Sequence, residues 1–276
     1  GTEVMEYLGD IAGDVHAAMP WFLAAGVVSG SPLKRLVLIA GGRISTGTST
    51  IWAATIDENW NFQSATTALS FAGTGSTSLS LSGDECGFEF GYDVGWDEDA
   101  MWYVSTTQDP IKINLSGASY TLKVQAVVDP TKEDWSFVSP ASLTIYQQRL
   151  VLIGDGEKKI AASAASDFRD FDVSGATTED GAWEFDIQSE VSSRIVWVQD
   201  NEHMIVGMDN SEVKLESFDG GAVTRTSATA KELTRIGSAY GTNGAIVDDK
   251  FAFASRSGNS LRAYEYRDER QAYASP

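Results

Sequence analysis

Few side chains in this chain of 276 residues have the type and spacing that chemistry demands. The two histidines, His16 and His203, lie far apart, and neither belongs to a pattern of nucleophile, base and carboxylate or to a set of metal ligands. Cys86 is the single cysteine, which excludes a disulfide within the chain and a zinc site built from several thiolates. It is expected to pack as a small hydrophobe. Asp93, Asp97, Glu98 and Asp99 offer the oxygen ligands that Ca²⁺ takes, but without the ordered spacing of an EF-hand loop, so the stretch reads as a solvated loop. Gly73-Thr74-Gly75 and Gly41-Gly42 are turn signals that lack the lysine and Ser/Thr of a phosphate-binding loop. Among 39 acids, a carboxylate pair for glycoside hydrolysis would be defined by distance in space, and no pair stands out in the sequence. Asn114-Leu115-Ser116 is a glycosylation triplet short enough to arise by chance. The reading is of a non-enzyme, with no catalytic residue, no metal ligand set and no cofactor.

The composition suits a scaffold. A hydrophobic content of 42%, with 11% aromatic, suffices for a folded core at this length. Twenty basic against 39 acidic residues give a net charge of −19, which opposes wrapping around a polyanion because nucleic-acid affinity comes largely from phosphate neutralisation. The same charge suits a wall past which DNA slides without adhering. No apolar run approaches the length of a membrane span, and Pro20 to Ser31, the nearest candidate, is too short. The start at Gly1 without Met leads to the expectation of a processed or excised piece of something longer.

Residues 3–25 are predicted as the one helix. Val4, Leu8, Ile11, Val15, Ala18 and Phe22 recur every three or four positions, while Glu3, Glu6, Asp10 and Asp14 keep the other side acidic. Pro20 is expected to kink or end it. The segment packs on the β body or serves as an arm that docks on a neighbouring subunit. From Lys34 onward, short runs of Val, Ile, Leu, Thr and aromatic residues broken by Gly, Ser, Asn and Asp predict strands and tight turns, among them 35–40, 50–56, 88–92, 101–105, 121–128, 142–145, 149–154, 160–164, 183–187, 195–199, 204–208, 213–217, 251–256 and 261–266. The expected fold class is all-β, with propeller-like repeated antiparallel sheets and one N-terminal helix. Its expected divisions are an N-terminal helical segment at 1–32, a first β repeat region at 33–145 and a second, propeller-like one at 146–276.

The repeat itself is visible. Lys34-Arg35-Leu36-Val37-Leu38-Ile39-Ala40-Gly41 is echoed by Gln148-Arg149-Leu150-Val151-Leu152-Ile153-Gly154-Asp155. Each copy leads through a turn to a strand rich in small residues, then to an acidic and aromatic corner: Asp57-Glu58-Asn59-Trp60-Asn61-Phe62 in the first and Asp167-Phe168-Arg169-Asp170-Phe171 in the second. The unit reads as a buried strand, a hairpin, a second strand and a turn in which two aromatics anchor the exit while Asp or Asn bonds the turn backbone. Such units suit propeller blades or two similar sandwiches.

The order Gln147-Gln148-Arg149-Leu150-Val151-Leu152-Ile153-Gly154, Ser166-Asp167-Phe168-Arg169-Asp170-Phe171, Ile195-Val196-Trp197-Val198, Tyr240-Gly241, Phe251 to Gly258 and Leu261 to Tyr266 resembles the propeller region of the tail nozzle, or stabilisation, proteins of short-tailed bacteriophages, also called tail tubular protein B. The resemblance covers residues 142–276. It implies a non-enzymatic virion protein, made in the host cytoplasm, that assembles with copies of itself as a hexameric ring below the portal and adaptor rings. The ring would form the channel through which DNA leaves the capsid, so DNA is a transient partner. The family would continue beyond Ala274-Ser275-Pro276, so the chain is expected to be part of a longer tail protein. No catalytic residue is carried over. The structural motif residues are Arg35, Trp60 and Phe62 in the first copy, Arg149, Asp167, Phe168, Asp170 and Phe171 in the second, then Trp197, Tyr240, Gly241 and Gly258. The alanine-rich strand from Ala161 to Ala165 departs from the pattern. An alternative reading is a carbohydrate-binding propeller or sandwich for host-surface recognition, with Trp52, Trp60, Trp96, Trp102 and Trp183 as stacking platforms.

Overall fold

Alternating β-branched and aromatic runs punctuated by turn residues fold here as that pattern dictates, into strands. The computed structural model describes residues 15–21, 26–28, 31–33, 35–41, 48–56, 70–71, 78–82, 86–93, 98–105, 108–115, 121–126, 140–154, 158–174, 178–187, 193–201, 203–239, 244–247, 250–267 and 272–274. Contacts divide the chain into two compact units, residues 1–127 and 128–276.

The first unit holds β1 (Val15–Trp21), β2 (Gly26–Val28), β3 (Ser31–Leu33), β4 (Arg35–Gly41), β5 (Thr48–Ile56), β6 (Ser70–Phe71), β7 (Ser78–Ser82), β8 (Cys86–Asp93), β9 (Glu98–Ser105), β10 (Gln108–Leu115) and β11 (Thr121–Ala126). One sheet has the order β1-β4-β5-β7, a second β6-β11-β10-β9-β8, and β2 pairs with β3. All pairings are antiparallel except the short one between β6 and β11.

The helix expected over 3–25 falls mostly outside the described residues. Its described part, Val15–Trp21, is strand β1, paired with β4 from Val15 opposite Gly41 to Trp21 opposite Leu36. The local spacing yields there to the ladder that β4 offers. β1 is an edge strand of its sheet, which is where a strand tolerates Pro20 and its missing N–H. Pro110 obeys the same rule within β10, sitting where the register shifts between Gln108 and Ile111.

The second unit holds β12 (Pro140–Tyr146), β13 (Arg149–Gly154), β14 (Lys159–Ala162), β15 (Trp183–Asp186), β16 (Ile195–Asn201), β17 (His203–Met208), β18 (Glu212–Ser217), β19 (Ala228–Thr234), β20 (Ala245–Val247), β21 (Lys250–Ala254), β22 (Leu261–Arg267) and β23 (Ala272–Ala274). They form three consecutive four-stranded antiparallel meanders, β12 to β15, β16 to β19 and β20 to β23. Because β12 pairs with β13, the region read as 33–145 gives its last strand to the second unit.

The repeat corresponds to matching sheets. β4 and β13 both begin on the repeated arginine, and each pairs with a seven-residue strand before it, β1 or β12, through a register shift near that strand's first residue. In the second unit the middle meander is buried on both faces. Val151, Ile153, Ile160, Ala162 and Trp183 of the first meander pack with Ile195, Val198, Met204, Val206, Val213 and Leu215 of the middle one. On the opposite face Val196, Trp197 and Ile205 pack with Phe251, Phe253 and Tyr264 of the third. Burial of each large aliphatic contributes about 1.5–3 kcal/mol before entropy is subtracted, so this stack of sheets holds the unit together.

Candidate functional site

The repeated arginine shows what its motif does. Arg149 follows a two-residue turn in which Gln147 and Gln148 both take left-handed backbone angles, φ 48° and 58°, the twist that a tight hairpin requires. Its guanidinium is buried, and Nη1 donates to the carbonyls of Ser163 at 2.7 Å and Gly181 at 2.6 Å while Nη2 donates to that of Glu179. Burial pulls its proton affinity down, with the Asp180 charge opposing, and the planar fork offsets the cost by serving several carbonyls at once.

The corner closes beside it. The amide of Ala164 donates to the carbonyl of Asp170 at 2.7 Å and that of Ser166 to Gln148 at 2.8 Å. Asp167 accepts the amide N–H of Arg169 at 3.2 Å and Asp170 that of Asp172 at 3.1 Å, two successive Asx turns. Phe168 and Phe171 are buried. Arg149, Asp167, Phe168, Asp170 and Phe171 are thus brought together, and their polar groups bond backbone. The alanine run has its reason here as well. Ala161, Ala162 and Ser163 are buried, and the Ser163 hydroxyl oxygen accepts the amide of Leu150 at 3.0 Å while its carbonyl takes the arginine.

Arg35 opens β4 opposite Ile56 of β5, and Trp60, Phe62, Tyr240 and Gly241 lie outside the described residues. Gly258 sits in the turn between β21 and β22 at φ 71°. Trp197 joins the aromatic cluster on the middle meander, its ring 4.9 Å from Phe251, and Phe253 stacks on Tyr264 at 5.6 Å. Trp197 faces Gly207 across β16 and β17, where a Cβ would come within 2.0 Å of the indole, so only glycine lets the ring lie on that backbone.

Three buried charges escaped the sequence reading. Glu212 accepts hydroxyl hydrogen bonds from Ser238 at 3.0 Å and from Thr234, and amides at 236 and 237 point to it as well. Burial nevertheless raises its carboxyl above the ordinary range, those hydrogen bonds opposing. Glu212 lines a recess of about 10 Å³, room for no more than a water molecule, with Ile205, Leu233, Thr234, Phe251 and Tyr264. On the same strand Lys214 is buried in an ion pair with Glu216. In the first unit Lys112 is buried 5.6 Å over the Trp102 ring, its cross-strand neighbour. A polar position in an alternating strand carries no mark that a second sheet covers it.

Trp102 and Trp183 are each 1% exposed and so cannot stack on a sugar, while Trp60 and Trp96 lie outside the described residues. His203 is half-buried on β17 opposite Asn201. Among the described residues no three His, Cys, Asp or Glu side chains are placed to hold a metal ion, and no helix is long and apolar enough to cross a membrane.

No protein-family model matches this chain, and no curated protein matches it. Among solved structures it is similar to a Bacteroides uniformis protein provisionally named a 6-phosphogluconolactonase, at TM-score 0.52 and 10% identity, covering 87% of this chain and 66% of that one. An auxiliary nutrient binding protein from Bacteroides ovatus aligns at TM-score 0.39 and 10% identity, over 95% of this chain and 63% of that one. The chain therefore spans just under two thirds of the length of either protein. The first likeness is one of fold alone, and the second carries no weight.

Proposed function

We propose that this protein is a non-enzymatic structural subunit, propeller-like in architecture, that forms part of a ring in the tail of a short-tailed bacteriophage and helps to wall the channel for DNA ejection. The observation that supports this reading is the use to which the repeated motif is put. Arg149 and the acidic corner, the side chains most suggestive of a site by their recurrence, bond backbone carbonyls and amides, the arginine those of segments that follow β14 and precede β15, as a scaffold element does. Consecutive meanders that each pack on the next are how a propeller is built. The order of motifs along 142–276 supports the tail nozzle family, with copies of itself and the portal or adaptor ring as partners. Acidic residues turned to the channel would keep the phosphate backbone from adhering.

Native mass spectrometry and negative-stain microscopy of the chain, alone and mixed with portal, adaptor and other tail proteins, test the proposal. Closed rings that join those components are expected. A strict monomer in every mixture, together with sugar binding on a glycan array, would overturn it in favour of a carbohydrate-recognition module.

A further inference from the structure

The middle meander carries one cross-strand row of four residues, Trp197 on β16, Gly207 on β17, Glu212 on β18 and Thr234 on β19, each directly opposite the next. Residues paired in this way share one face of a sheet, so Glu212 lies on the face where Trp197 and Ile205 meet Phe251, Phe253 and Tyr264 of the third meander. It is 1% exposed. Phe251 and Tyr264 cover it from the third meander, and Leu233 and Thr234 close the side toward β19.

The same carboxyl fastens the connector that leaves β19 for the third meander. Thr234 and Ser238 donate their hydroxyls to its two oxygens, Ser238 at 3.0 Å, and the amides of Ile236 and Gly237 donate to it as well. The connector is joined to the third meander by the Ala239 amide on the Ala254 carbonyl at 2.9 Å and the Arg256 amide on the Gly237 carbonyl at 2.8 Å. Its tie to the middle one, besides Glu212, is the Ser238 amide on the Met208 carbonyl at 2.7 Å. Whatever loosens the grip of Glu212 therefore loosens the whole third meander.

Two of the four donors are hydroxyls, which can turn round and accept, so the cradle fits a protonated carboxyl as well as a carboxylate. Burial decides between the two forms: it favours the neutral one and raises the carboxyl, the four hydrogen bonds opposing. Tyr264, facing it from β22, is itself pushed up by burial and then by Glu212. The other charged groups around the site are Lys214, held by Glu216; Arg235, held by Glu232; Asp209, which accepts the Ser193 hydroxyl; and Lys231, Arg256 and Arg262, all exposed. Lifting the third meander returns Glu212 to water and to its ordinary value of 4.5. The docked state thus keeps a proton that the lifted state releases, and docking is strongest below 4.5 and weakens as pH rises through the raised value.

We propose that Glu212 is a proton-operated latch between the middle and third meanders: the protonated carboxyl holds the third meander down, and loss of the proton toward neutral pH lets it lift as a unit while the first and middle meanders stay packed. The latch acts within one copy, whatever that copy assembles with.

Hydrogen exchange on the full chain from pH 4.5 to 7.5, with each rate divided by that of the unstructured chain at the same pH, measures how often each amide opens. In the wild type, opening at the Ser238 amide should rise at least threefold across this range and then level off, while the Ser163 amide, which donates to Leu150 next to the first meander's strands, should not follow. Glu212→Gln should flatten the rise and leave the Ser238 amide less open than in the wild type at pH 7.5. Ser238→Ala, which removes a hydrogen bond that favours the carboxylate, should carry the rise to higher pH. Circular dichroism verifies that each variant is folded, and if Glu212→Gln is not, the wild-type profile and Ser238→Ala decide. Opening at residue 238 that is the same at every pH, a rise that survives in Glu212→Gln, or a midpoint unmoved by Ser238→Ala would overturn the latch. So would a Ser163 amide that opens in step, because the whole unit would then be loosening.

Discussion

The two faces of the middle meander do the same work with different materials. Toward β12 to β15 it presents Ile195, Val198, Met204, Val206, Val213 and Leu215, aliphatic side chains that interdigitate with others of their kind. Toward β20 to β23 it presents Trp197, with Gly207 hollowed beneath the indole, and then Glu212 and Lys214, buried charges satisfied by neighbours. An aliphatic face tolerates exchange of one shape for another of equal volume. A face built from one large ring, one glycine and one hydrogen-bonded carboxylate does not, because each part is shaped to the next.

The largest expected effect is on the aromatic face. Trp197→Ala should cost about 3–5 kcal/mol, read as the shift in denaturant midpoint, while Met204→Leu on the aliphatic face should cost under about 1.5 kcal/mol. Equal losses would erase the distinction between the faces. Arg149→Ala, at the end of the first meander, should cost about 3 kcal/mol, since it leaves the carbonyls of Ser163, Glu179 and Gly181 without their donor. Arg149→Lys should recover only part of that, because an ammonium lacks the fork, and chemical denaturation of the two variants side by side checks this. Gly207→Ala should cost about 1–3 kcal/mol by pressing a methyl into the indole, and near-ultraviolet circular dichroism should register the displaced tryptophan.

The smallest effect is the most diagnostic of the buried carboxylate. Because burial raises the Glu212 carboxyl above its ordinary value of 4.5, the folded state binds a proton that the unfolded chain has already lost. Its contribution to stability is fully present below that ordinary value and is lost as pH rises through the raised one. Glu212→Gln should therefore gain on the wild type between acid and neutral pH, by about 1.4 kcal/mol for each pH unit of the raised interval. Unfolding measured across that range gives the difference between the variants, and a difference that stays flat would show that the carboxylate is not desolvated.

Much of the strand pattern was legible in the sequence. β4, β13, β16, β17, β18 and β22 carry β-branched or aromatic runs between turn residues, and the echo of Arg35 in Arg149 pointed to matching sheets. β19 was not legible: Ala228–Thr234 contains Ala, Lys, Glu and Leu, which favour helix, and it is a strand because β18 offers it a ladder. β1 was misread for the same reason, its apolar spacing suiting a helix while β4 supplied the partner. Glu212-Val213-Lys214-Leu215-Glu216 reads as a strand with one wet face, and no residue within it signals that a third meander covers that face.

By itself, then, the sequence determined what depends on neighbours along the chain: many of the strands and turns, and the corner at Asp167 to Phe171, since period and turn chemistry are local. Tertiary structure decided what depends on neighbours across space. It set which carbonyls Arg149 serves and placed Glu212 and Lys214 in the interior. Burial is a property of packed sheets, and a linear pattern carries no record of what will be laid on top of it.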